Sequence, residues 1–496
     1  MRSKQDPYWE ERQRHAPIAE AMKAYAADGA LAFHTPGHKQ GLGAHPLLRE
    51  LITAQGLREE VSLMEELDDF HEPQTCIREA QELAAELYGA DRAFFCINGT
   101  TGAIHAMLLG TLHPGDTVLV PRNAHRSVIG GLILAGAIPA YIQPEVDQRL
   151  GIPMGLRLSD IRRAAEAHPE ARALLVVYPT YYGVTVDLRA IADFVHARGM
   201  LLLVDEAHGP HLKFSEELPP QALDCGADVV AESTHKIVGS MTQTSMLFTK
   251  GSRVDAERVR QAASLVQSTS PNQLLLASLD IARLQLAEDG ERLVGRAVQL
   301  AEKLRAAIHA IDGLSCFGSE DMRTEGASGL DATKLTVTVT GLGLTGTEAE
   351  HILRWDEKIQ CELSDPRNVL FILSYADTEE TSARLLEALR HLAAEHRRPA
   401  RNLPELSEEL PLPERVMTPR EAFFAEAEAV PFAEAEGRIA AEQVMFYPPG
   451  IPLLAPGERI TRRVMDYIRQ RQAIGLKISG PEDVNLKKIK VIRGAS

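Results

Sequence analysis

The sequence predicts an α/β protein on a mostly parallel, seven-stranded sheet with helices on both faces, and three observations lead there. Seven short, almost wholly apolar runs read as buried strands: "RAFFCI" (92–97), "TVLV" (117–120), "IPAYI" (138–142), "ALLVV" (173–177), "MLLLV" (200–204), "DVVA" (228–231) and "SMLFT" (245–249). Stretches of helical period, such as "TTGAIHAMLLGTL" (100–112), "AHRSVIGGLILAG" (124–136) and "LSDIRRAAEAH" (158–168), fall between several of them, and "CIREAQELAAELYG" (76–89) precedes the first. Polar motifs follow the carboxyl ends of the strands, which is where ligands bind in such sheets.

The elements follow in order. Residues 14–28 read as an amphipathic helix, and "AFHTPGHKQGLGAHP" (32–46) is too rich in Gly and Pro for regular structure. Residues 1–75 therefore form an N-terminal arm, and residues 76–312 the large domain, closing on long helices from 254. Residues 313–396 alternate "KLTVTV", "KIQCEL" and "VLFILS" as strands with "TEAEHILRW" and "EETSARLLEALRHLAAEH" as helices, a small α+β domain. Residues 397–419 carry the Pro and charge of a linker. A C-terminal α+β domain spans 420–496, and its "YPPGIPLLAPGE" suits neither a helix nor a central strand.

Composition limits the function. The chain has 496 residues, 45% hydrophobic and 25% charged, ordinary for a globular protein with a sizeable core. A net charge of −16 argues against nucleic acid or an anionic membrane as partner. Five cysteines without a CxxC pair suit free thiols in a reducing compartment. No secretory h-region and no apolar run of spanning length occur, so the expected location is cytoplasmic.

Four polar stretches carry the chemistry. "INGTTG" (97–102) follows a strand and opens a helix, an arrangement that seats an anion on free N–H groups; plain N-capping is its structural alternative. "RNAHRS" (122–127) puts His125 where an aromatic ring could stack on a flat ligand, or merely cap a helix. "LLLVDEAHGPH" (201–211) ends an apolar strand on Asp205, a carboxylate needing a cation or strong donor. "ESTHK" (232–236) offers Ser233 and His235 to a phosphate and an amine, Lys236, to an aldehyde. Together they match what pyridoxal 5'-phosphate requires: a phosphate cup, a stacking ring, an acid for the pyridine nitrogen and an imine-forming lysine. A metal centre from Asp205, His208 and His211, or from His34 and His38, is disfavoured because the ligands would not converge, so none is expected. "VDEAH" also mimics an ATPase acidic box, but no GxxxxGK[ST] loop accompanies it.

The blocks "FHTPGHKQG", "ELDDFHEP", "NGTTGAIHAM", "PRNAHRS", "PTYYG", "VDEAHGPH", "STHK", "QSTSP" and "YPPGIPLLAPGE" resemble, in order, those of the Orn/Lys/Arg decarboxylases in their short form. The resemblance spans about residues 15–493. It implies the aspartate-aminotransferase-like fold, pyridoxal-phosphate fold type I. It implies that Lys236 forms the Schiff base, that Asp205 pairs with the ring nitrogen and that His125 stacks on the ring. Thr100, Thr101, Ser233 and His235 would hold the phosphate, Ala207 would pack on the other ring face, and His208 would lie near the reacting carbons. It further implies a homodimer or larger homo-oligomer with shared active sites, in which Ser270 of the "QSTSP" block reaches a neighbour's phosphate.

The activity so implied is decarboxylation of a small cationic amino acid. L-arginine, giving agmatine and CO2 for polyamine biosynthesis, is favoured, with lysine and ornithine as alternatives. Asp205 keeps the ring cationic, and Lys236 or His208 returns a proton to Cα. Asp68, Asp69 and Glu458 are the acidic candidates for the substrate's distal cation. An aminotransferase with Arg367 as carboxylate clamp and a non-catalytic regulatory homologue are the competing readings.

Overall fold

Seven strands form one sheet in the computed structural model, which describes residues 7–399, 411–446, 450–473 and 475–495. They are β1 (Arg92–Cys96), β2 (Thr117–Pro121), β3 (Ile138–Ile142), β4 (Ala173–Val177), β5 (Leu201–Asp205), β6 (Val229–Glu232) and β7 (Ser245–Thr249). Their order is β1-β7-β6-β5-β4-β2-β3. Strand β2 runs parallel to β3 and β4, whereas β7 is antiparallel to both β1 and β6. Strands β2 and β7 are buried along their whole length, which accounts for the near absence of polar alternation in these runs.

By contact density the chain divides into two compact units. The first comprises residues 1–111, 205–215 and 221–293. It holds helices α1 (Pro17–Asp28), α2 (Cys76–Tyr88) and α3 (Gly99–Thr111). The arm is anchored by a buried ion pair within one long helix. Asp280 accepts from Ile18 N at 3.0 Å, and Arg283 donates to the Gln13 carbonyl at 2.7 Å. Helix α3 is packed closely by the helix Ala256–Leu265: a Cβ on Gly110 would lie 2.7 Å from Val259 Cα. That contact fixes the helix whose N-terminus opens beside the polar motifs.

The second unit comprises residues 112–204, 216–220 and 294–496. Helix α4 (Arg126–Ala135) starts on a His125 cap and ends at Gly136, whose φ of 69° is the left-handed stop that glycine permits. A four-stranded antiparallel sheet follows, ordered Ser315–Cys316, Lys334–Thr338, Asn368–Ile372, Leu363–Ser364. Its core recruits Leu300, Leu304 and Ile308 from the last turns of the helix Gln273–His309, ahead of the expected boundary at 313. The "KIQCEL" run contributes only its last residue to a strand, Leu363–Ser364, which pairs with Leu370 and Val369. A separate core joins Phe432, Val444, Leu454, Ile468 and Val491 in the C-terminal segment. There Ile451–Leu454 is an edge strand on Val444–Phe446, a place that suits Pro452. Residues 400–410 of the expected linker and 447–449 of the Pro-rich block lie outside the described residues. No helix among the described residues is long and apolar enough to cross a membrane.

Candidate active site

The first unit gathers most of the expected residues at the ends of β5, β6 and β7. Lys236 sits in a single helical turn, Thr234–Ile237, directly after β6. Its Nζ lies 3.0 Å from His208 Nε2, so a primary amine and an imidazole share a proton path. His208 is buried. It follows Asp205 by three residues, on the turn that leaves β5.

Asp205 is buried, and its Oδ1 accepts one hydrogen bond, from Ala207 N at 3.2 Å. Burial pushes its carboxyl above the usual range; the Lys236 charge and the Ala207 N–H pull the other way. A desolvated carboxylate with one weak donor is suited to a further N–H, such as that of a protonated pyridine ring.

Three hydroxyls meet nearby. Thr100 Oγ1 donates to Ser245 Oγ at 3.0 Å and is in short contact with Ser233 Oγ, and Ser245 donates to the Glu232 carbonyl at 2.6 Å. Thr100 is the second residue of α3, beside Gly99 with its left-handed φ of 65°, and Thr101 follows, exposed. Hydroxyls together with the N–H groups of a helix start form a donor set for a phosphate dianion. Ser245 escaped the sequence reading because "SMLFT" looks like core. The only sign of it is the register, which pairs it with Cys96 at the end of β1.

His235 turns its Nδ1 to the Thr244 carbonyl at 2.7 Å. Burial lowers its pKa, with the Thr244 bond opposing and Lys236 assisting, so the neutral ring is favoured. Ser270 is exposed, in a loop where its N–H donates to Ser268 Oγ at 3.1 Å. His71 ties this loop to the acidic block, with Nε2 2.9 Å from the Ser268 carbonyl and its backbone N–H donating to Asp69 Oδ1 at 2.8 Å. In the second unit His125 caps α4: its Nδ1 accepts from Ser127 N at 3.2 Å and lies 2.8 Å from Ser127 Oγ.

Two of the acids expected to bind substrate do something else. Asp68 accepts five backbone N–H groups: Asp69 and Gln74 on Oδ1, and Thr75, Ile77 and Arg78 on Oδ2, at 2.7–3.4 Å. It thus caps α2 and folds the 69–75 loop. Glu458 is buried, and its two oxygens receive both prongs of Arg122 at 2.5 and 2.9 Å, with Ala455 N at 2.7 Å. The structural roles of Asp68 and Glu458 therefore replace the substrate role expected for them. Asp69 remains exposed, with both its hydrogen bonds on Oδ1.

A carboxyl pair lies behind the site. Glu206 and Glu232 each follow or end a strand, are fully buried, and interact with one another; Glu206 Oε1 also accepts from Ala222 N at 2.9 Å. Burial and the Glu232 charge raise Glu206 well above its ordinary range, and burial raises Glu232 to about 8. Burial therefore favours the protonated form of the pair in the folded chain. Both folded pKa values are raised, so this stabilisation is complete below about pH 4.5 and is lost as pH rises towards 8. Glu206→Gln, neutral at every pH, is expected to flatten the fall of Tm across that window. One proton is worth at most about 1.4 kcal/mol per pH unit. Thermal melts of both proteins from pH 5 to 9 check this, and parallel curves would refute a raised Glu206.

The residues present fit pyridoxal phosphate: an amine on Lys236, a buried acid at Asp205, and a hydroxyl cluster at a helix start. The family profile described as Orn/Lys/Arg decarboxylase, major domain, matches residues 16–381, and that of its C-terminal domain matches residues 402–483. The chain is 44% identical over 483 residues to an arginine decarboxylase of Halalkalibacterium halodurans, covering 97% of this chain and 98% of that one. It is 42% identical over 488 residues to an arginine decarboxylase of Bacillus subtilis, with the same coverage. The fold is similar to that of lysine decarboxylase A from Pseudomonas aeruginosa, with a TM-score of 0.83 at 24% identity over 97% of this chain and 81% of that one.

Proposed function

The chain belongs to the Orn/Lys/Arg decarboxylase family, and on that ground we propose that it is a pyridoxal-phosphate-dependent enzyme converting L-arginine to agmatine and CO2. The cofactor, when bound through the Lys236 amine, would accept into its ring the electron pair left by the departing carboxylate. The observation that supports this best is the Lys236–His208 contact of 3.0 Å beside a buried Asp205.

The chain's own residues divide the work. Asp205 would hold a proton on the ring nitrogen, which keeps the electron sink open. Thr100, Thr101, Ser233, Ser245 and His235 would anchor the phosphate, and His125 and Ala207 are the residues that would hold the ring. His208 and Lys236, already in contact, exchange the proton that returns to Cα. Arg367, the residue an aminotransferase reading would need, directs Nη1 to the carbonyls of Gln148 and Arg149 at 3.3 and 3.4 Å.

For the guanidinium we retain Asp69. It shares the His71 tie with the loop of Ser270, so both would serve a neighbouring copy's site in a homodimer or larger assembly. A carboxylate accepting two parallel N–H bonds favours guanidinium over a compact ammonium. A cytoplasmic setting is part of the same reading.

The test is to offer the protein, loaded with pyridoxal phosphate, arginine, lysine and ornithine side by side and to identify the amines. Agmatine is expected, with kcat/KM at least about 100-fold above that for lysine or ornithine. Cadaverine or putrescine as the faster product would move the substrate, and a keto acid would replace the reaction itself.

A further inference from the structure

The turn that carries His125 is held from a distant stretch of the chain. Arg122 stands directly after β2, and Ala124 N donates to the Pro121 carbonyl at 3.0 Å, closing the turn tightly. The guanidinium of Arg122 is buried, lies 4.8 Å from the centre of the Tyr141 ring, and spends both prongs on Glu458. A further bond runs from Nη2 to the Leu453 carbonyl at 2.8 Å. Past His125, Arg126 N donates to the Gly450 carbonyl at 3.0 Å. That carbonyl occupies one of the N–H groups a helix start leaves free. The segment 450–458 thus grips the turn on both sides of His125.

The sequence of the segment explains its rigidity. Pro452 and Pro456 restrict the backbone, and Gly457 takes a φ of 89° where a Cβ would come within 2.5 Å of the Met417 carbonyl. Ala455 N then clamps Glu458 Oε2. A buried, two-pronged pair tolerates little drift, because moving either partner strands a charge away from water.

We propose that Glu458 is a positioning residue for the cofactor site: its buried pair with Arg122 sets the place of the His125 imidazole. This rests on the reading that His125 stacks on the cofactor ring, and it gives the C-terminal segment a part in the reaction. The pair acts through His125.

The experiment compares the wild type, His125→Ala, Glu458→Gln and the double variant, each stripped of pyridoxal phosphate and titrated with it. The readouts are the dissociation constant and the visible circular-dichroism band of the bound cofactor. Glu458→Gln is expected to weaken binding by about 10- to 100-fold and to shrink the band with the far-ultraviolet spectrum preserved. In the double variant binding should be no more than about threefold weaker than with His125→Ala alone, because both changes remove one contact. Full additivity, or unchanged binding and band in Glu458→Gln, would overturn the proposal while leaving the stacking reading intact. Unchanged binding and band in His125→Ala would overturn both. Arg122→Lys, which keeps the charge and loses the fork, carries the same expectations if Glu458→Gln does not fold.

Discussion

Lys236→Ala is expected to lower kcat for decarboxylation by at least about 10³-fold and to abolish covalent attachment of the cofactor. The described lysines flanking it in the sequence are engaged elsewhere. Lys213 is paired with Asp224 at 3.7 Å, and Lys250 donates to the Leu223 carbonyl at 3.1 Å. The loss has two sources. The amine at 3.0 Å from His208 disappears from the proton path, and Asp205 loses the charge that opposes its burial. Its carboxyl then shifts further towards the protonated form, and the acid meant to hold the ring cationic is weakened along with the lysine. Borohydride reduction followed by peptide mass spectrometry checks the attachment: one pyridoxyl group on the Lys236 peptide of the wild type and none in the variant. An adduct elsewhere in the chain, or a variant retaining a tenth of the activity, would remove Lys236 from its role.

The sheet was legible because burial on both faces leaves a plain signature. "IPAYI", "ALLVV" and "SMLFT" coincide with β3, β4 and β7 to the residue. The small α+β domain is less legible, since "KIQCEL" has strand composition but only Leu363 of it lies in a strand. At the site, the residues proposed from sequence follow strand ends, where topology alone dictates position. The acids were harder. Asp68, Asp69 and Glu458 are chemically alike in sequence, and what separates them is the number of N–H groups the fold aims at each. Five backbone groups converge on Asp68, and an arginine 336 residues away in the chain meets Glu458. Glu206 and Glu232 are illegible for the same reason: each adjoins a motif residue, and only the fold shows that both are buried at strand ends.

Asp205→Asn should separate catalysis from stability. An asparagine keeps the shape but cannot hold a proton on the ring nitrogen, so kcat is expected to fall by about 10²–10³-fold, some 3–4 kcal/mol of transition-state stabilisation. Stability should move the other way. The folded pKa of Asp205 is raised by burial, so folding favours its protonated form, and the ionised form carries a desolvation cost. The stabilisation of the protonated state is complete below the unfolded value of 3.8 and is lost as pH rises through the folded pKa. At neutral pH the cofactor-free variant should therefore melt a few degrees above the cofactor-free wild type, and the gap should close near pH 4. Loading with pyridoxal phosphate should reverse the order, because only the wild type then gains a cationic partner for its buried acid. Melting curves with and without cofactor, at pH 4 and pH 7.5, decide it. A variant that is less stable in both states at both values would mean Asp205 is held by contacts other than the charge. The acid would then be a structural residue, and the cofactor reading would lose its electrostatic half.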